Sequence, residues 1–155
     1  MQLWQQIFLL VFAFFNFLIF FKGFYQSKYR KNAFTCTYGL FFLGIFVWGD
    51  AVIFGLFWSI SSLIAFIFQD WYLFLLITSV FWIVRSLGET IYWLNQQFSS
   101  LNRNPVKNLL GHSIFYNDSI WFIYQIFWQS INVISIIPSI YLANLWLKNL
   151  NLLNI

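Results

Sequence analysis

Arg85 and Glu89 stand four residues apart in the apolar run 71–98, and they are its only charged side chains. Four residues is one helical turn, so both lie on one face. A guanidinium beside a carboxylate could hold a phosphate, pass a proton or an ion, or form a structural ion pair that fixes helix register. Ionisable groups inside a membrane-type segment mark a functional site by default, because they are expensive there. Thr78, Trp82, Arg85, Glu89, Tyr92 and Gln96 follow at spacings of 4, 3, 4, 3 and 4. They make one helical stripe, which must face protein or water.

A second stripe, Gln125, Gln129, Asn132 and Ser135, has the spacing to hydrogen-bond to a neighbouring helix. Ala51, Gly55 and Ser59 form a small-residue face that allows close backbone approach. These three faces are expected to meet, with the first apolar segment packed outside them. Depth counting adds further candidates. Asp50 and Glu89 are each 19 residues from the Gln69-Asp70 turn, roughly 28 Å along a helix. Asp50, Arg85, Glu89, His112 and Asp118 are therefore expected to line one polar pocket near the cytoplasmic face. Each has a plainer role available: Asp50 and Asp118 as N-caps, His112 as a solvated loop residue, Trp82, Trp93, Trp121 and Trp128 as packing and interface anchors.

The elements that position these residues follow from composition. The chain is 61% hydrophobic and 8% charged, against about 25% charged in soluble domains. A domain of 155 residues has too much surface to hide that much apolar material from water. The expected fold is an all-α integral membrane protein, a bundle of four transmembrane helices in one domain. Spans are expected at about 3–21, 51–68, 71–95 and 120–147, each near the length that crosses a hydrocarbon core. An apolar lead-in, 37–48, would make the second segment about 48 Å as one helix, so a break at Gly49-Asp50 is expected. The lead-in then becomes a short interfacial or re-entrant helix. Pro138 is expected to kink the last span. A cleaved signal peptide does not fit the first segment, which lacks a basic start and a small-residue cleavage site.

The connectors are expected at 22–36 and 99–117. The first holds Lys22, Lys28, Arg30 and Lys31 without an acid, and the second holds Arg103 and Lys107. The positive-inside rule puts both in the cytoplasm and both termini outside, with the plasma membrane the expected location. Nucleic acid is not an expected partner, since the cations are not gathered on one solvated element. Cys36 is the sole cysteine and His112 the sole histidine, so no intrachain disulfide, no metal site and no cofactor are expected. Nucleotide-binding, nucleophile-elbow and metalloprotease motifs are missing. The expected function is binding or assembly in the lipid bilayer, as an accessory or scaffold subunit or a homo-oligomer. The alternatives are a transporter or channel for ions or small solutes with Arg85 and Glu89 in its pathway, and a membrane enzyme acting on a lipid head group.

Overall fold

A computed structural model describes residues 1–37, 39–99, 104–115 and 117–150. Arg103, one of the expected cytoplasmic cations, lies outside the described residues, as does Tyr38 at the start of the lead-in. The described chain is helical, with four long helices: α1 Leu3–Lys28, α2 Trp48–Ile67, α3 Trp71–Phe98 and α4 Ser119–Asn149. Each is long and apolar enough to cross a membrane. The chain forms two compact units, Met1–Ile77 and Thr78–Ile155.

In the first unit α1 runs past the expected limit at residue 21 to Lys28. Nothing in its basic end breaks a helix, because Lys22 has good helix propensity and Gly23 is held by packing. α1 lies antiparallel on α2, with partners descending along one helix as they ascend along the other. Gly23 sits against Ala51, and Gly55 against the backbone of Asn16 and Phe20. The Ser59 hydroxyl donates to the Ala13 carbonyl at 2.5 Å. Beyond that, Leu9, Ala65 and Phe74 close the far end of the contact. The face of Ala51, Gly55 and Ser59 is thus covered by α1. This corrects the expectation that the first segment packs outside that face. α1 lacks a strong apolar stripe of its own, but Ala13, Asn16 and Gly23 are short enough to let α2 approach.

The lead-in is not a regular α-helix, and α2 starts at Trp48, ahead of the expected break at Gly49-Asp50 and span start at Ala51. Gly39 and Gly44 take positive φ of 93° and 73°, which only glycine adopts freely. They bracket a single 3-10 turn, Phe41–Leu43. Cys36 and Val47 pair in an isolated antiparallel bridge, so the segment closes on itself as a folded loop. The Trp58 indole N–H donates to the Leu43 carbonyl at 2.9 Å. Trp58 is ten residues into α2, roughly 15 Å along its axis, with its side chain leaning back toward the helix start. The loop therefore folds down alongside α2. Part of its backbone is paired within the loop: Thr37 N–H donates to Phe46 O, Gly44 N–H to Phe41 O, and the Thr37 hydroxyl to Ile45 O.

Asp70 ends the α2–α3 turn. Its carboxylate accepts the Leu73 N–H at 3.0 Å, so it caps α3. In the second unit the later part of α3 pairs with α4, again antiparallel. Trp93, Ile120 and Trp121 form the buried cluster there, with Tyr124 and Trp128 packed against it. α4 continues through Pro138.

The close approach at Gly55 generates a test. A Cβ on Gly55 would lie 2.8 Å from Phe20 N and 2.9 Å from Asn16 O, backbone atoms that cannot move aside. Gly55→Val should cost about 3 kcal/mol, the upper range for overpacking. Gly88, which has nothing within 4 Å of its would-be Cβ, is the control: Gly88→Ala should gain about 0.5–1 kcal/mol. Unfolding in mixed micelles, followed by circular dichroism, measures both. Equal effects of the two substitutions would refute this packing.

Candidate functional site

On α3 one guanidinium nitrogen of Arg85 lies 2.8 Å from Glu89 Oε1, and both side chains are only 13% exposed. The second carboxylate oxygen, Oε2, accepts the Trp93 indole N–H at 3.2 Å. Glu89 therefore divides its two oxygens between a cation one turn before it and a neutral donor one turn after. The pattern continues by another turn. Gln97 donates to the Trp93 carbonyl at 3.2 Å and to Gln125 Oε1 on α4 at 2.7 Å. The polar ladder of α3 is thus Arg85, Glu89, Trp93 and Gln97, spaced 4, 4 and 4.

The expected stripe passed through Tyr92 and Gln96, which adjoin Trp93 and Gln97 in sequence. Tyr92 turns to the connection instead, and the Asn104 amide donates to its hydroxyl. Gln96 is buried. Trp93 was expected as a packing residue. It does pack, with its ring 4.6 Å from that of Tyr124, yet its indole N–H also completes the carboxylate. The available signal was its position four residues after Glu89, with an N–H able to reach one turn back.

The α4 stripe is divided in its contacts. Gln125 meets Gln97. Asn132 donates to the Ile83 carbonyl at 2.8 Å and to the Ser86 hydroxyl at 3.1 Å. Gln129 is exposed. Ser135 turns back on its own helix and donates to Ile131 O. Ser86 had no place in the sequence-based stripe. It is fully buried and serves as a hub, donating to Trp82 O while accepting from Asn132.

The other expected pocket members have their own settings. Asp50 lies in the first unit at the third position of α2, where its carboxylate accepts the N–H groups of Phe46 and Val47 at 3.0 and 3.3 Å. It ties the end of the loop to the first helical turn. His112 is exposed on the connection. Asp118 is also exposed and occupies the N-cap position of α4 without a side-chain cap. Asn117 supplies that bond instead, accepting the Ser119 N–H at 3.1 Å. The connection itself is tied to the helices by aromatic donors. Trp121 Nε1 donates to Asn104 O at 3.0 Å, and the Tyr124 hydroxyl to Leu110 O at 3.3 Å.

Chemically, the cluster offers a shielded ion pair with an aromatic N–H donor. Both Glu89 oxygens carry hydrogen-bond partners, so the carboxylate is held as an acceptor by its neighbours. Comparison with family models, curated proteins and solved structures finds no match for this chain.

Removing one member of a mostly buried pair strands the other charge, which costs about 3 kcal/mol or more. We expect Arg85→Leu to lower stability by that amount. Pairing it with Glu89→Gln, which keeps an acceptor for Trp93, should recover most of the loss. Chemical denaturation of the single and double variants in detergent makes the comparison. A single variant as stable as the parent would show that the pair does not hold the helix.

Proposed function

We propose that this chain is an integral membrane protein that crosses the bilayer four times and acts by binding and assembly, as an accessory or scaffold subunit or a homo-oligomer. The observation that carries the reading is the division of labour between its polar and apolar groups. Its intrahelical polar side chains are largely engaged within the protein, while many of its large apolar side chains face outward. In the most apolar window of α4 only 6% of residues are buried, against 39% for α2. Val133, Ile134, Ile137, Ile140 and Tyr141, each more than 60% exposed, fall on one side of α4. Asn132, Ser135 and Ser139 are on the other. A helix so divided meets its own protein with its small and polar side and offers an apolar side to lipid or to a neighbouring helix.

The orientation proposed for it has the basic connectors in the cytoplasm. Support comes from Lys28, Arg30, Lys31 and Lys107, all exposed. The ion pair belongs in this reading as an internal fastening of α3.

Three measurements test it. The chain should stay in membranes washed with alkaline carbonate, and release by that wash would reject membrane integration. Cys36, the sole cysteine and exposed, should react with an impermeant maleimide in inverted vesicles and not in intact cells. The opposite pattern would reverse the orientation. For assembly, Ile137→Trp should leave insertion unchanged and reduce the size of the detergent-solubilised complex. A parent that is monomeric and purifies without a membrane partner would reject the assembly role.

A further inference from the structure

The first unit holds four cations, Lys22, Lys28, Arg30 and Lys31, and two acids, Asp50 and Asp70. Each acid accepts backbone N–H groups. Asp70 caps α3 at the far end of α2, and the Asp50 carboxylate accepts two backbone N–H groups. All four cations are on the last turns of α1 or just beyond, and all are exposed.

Three of them rest on aromatic faces. Lys22 Nζ lies 4.9 Å from the Trp48 ring centre. Lys28 Nζ lies 5.1 Å from Phe24 and 5.4 Å from Tyr29. The Arg30 guanidinium carbon is 5.6 Å from Tyr25. Such contacts hold the stems in place and leave the N–H donors able to bond outward. The backbone there is also held. Asn32 N–H reaches back to Gln26 O around Lys31, whose φ is 55°.

Next to this collar lies the folded loop. Leu43 and Ile45 are buried within it, while Phe41 and Phe42 are 64% and 53% exposed, and Phe34 before the bridge is 90% exposed. The Trp58 bond holds the Leu43 carbonyl alongside α2, and Phe41 and Phe42 directly precede it in the same 3-10 turn. Lys22 is level with Trp48. Cations and exposed phenyl rings match the two parts of an anionic lipid, a phosphate and its acyl chains.

The geometry points to a binding site for an anionic phospholipid, with Lys22, Lys28, Arg30 and Lys31 holding the head-group phosphate and Phe41 and Phe42 lying against the acyl chains. The site rests on the membrane reading above. A zwitterionic lipid offers the same chains without net charge, so the preference must come from the collar. Each cation near an anionic head group contributes about fivefold in affinity.

The test uses the full chain purified in mild detergent, with retained phosphatidylglycerol and phosphatidylcholine counted by native mass spectrometry. We expect phosphatidylglycerol to be retained in preference. Each single Lys→Gln or Arg→Gln change should reduce its affinity up to about fivefold. The variant K22Q/K28Q/R30Q/K31Q should show no preference, and its unchanged melting in phosphatidylcholine would confirm that it is folded. Phe41→Ser with Phe42→Ser should weaken retention of the lipid. A preference that survives the quadruple change would overturn the site. So would full displacement of the lipid by soluble glycerol phosphate, which would mark a site for a free anion. Equal retention of both lipids by a parent chain that resists carbonate extraction would overturn the site alone. Release of the parent chain by carbonate would overturn the membrane reading itself.

Discussion

In the proposed bilayer setting no water is at hand to complete a hydrogen bond, so polar groups in these helices need partners within the protein. The helical hydroxyls show the rule at work. Ser62, Ser86, Thr90, Ser130, Ser135 and Ser139 each donate to the carbonyl four residues earlier. This local bond would slightly destabilise a helix in water, but here it removes the donor from the outer surface. Where a side chain has two donors, it can also reach another helix: Asn132 reaches Ser86, and Gln97 reaches Gln125. Asn16 marks the limit of the rule. Its amide N–H donates to Phe12 O, while its Oδ1 is buried with no hydrogen-bond partner among the described residues.

The same constraint explains the loop before α2. A peptide segment beside an apolar helix can omit regular structure only when its backbone groups are paired by protein. Here Asp50, Thr37 and Trp58 supply the missing partners from outside the turn. Gly39 and Gly44 let it bend sharply enough to use them. The tight seam of α1 and α2 likewise depends on what is small: Gly23 and Gly55 bring the two backbones together, and the Ser59 hydroxyl bonds across.

Much of the helical layout could be read from composition and hydropathy, because four long apolar runs separated by turn residues leave little choice. Apolar periodicity served less well for partners. α1 is apolar on nearly every side, so its sequence does not announce which side is covered. The deciding feature is side-chain size, at Ala13, Asn16 and Gly23. The lead-in looked helical because Leu40 to Phe46 is apolar, but apolarity does not distinguish a helix from a loop that borrows its hydrogen bonds. On α3 the spacings 4, 3, 4 and 4, 4, 4 both describe helical neighbours. Choosing Trp93 over Tyr92 required knowing where the second carboxylate oxygen of Glu89 points, which depends on rotamers rather than on pattern. Asp50 was readable as a helix-start residue. Its reach back to Phe46 depended on the loop being there.

The bond from Trp58 to Leu43 also orders events in time. A chain made from its N-terminus presents residues 41–43 before Trp58 exists. The indole can reach the carbonyl only after about three turns of α2 have wound beneath the loop. Until then Leu43 O lacks its partner, and the segment can stay near water beside its cations. The loop is a clasp whose fastener, Trp58, lies fifteen residues further along the chain than the carbonyl it holds.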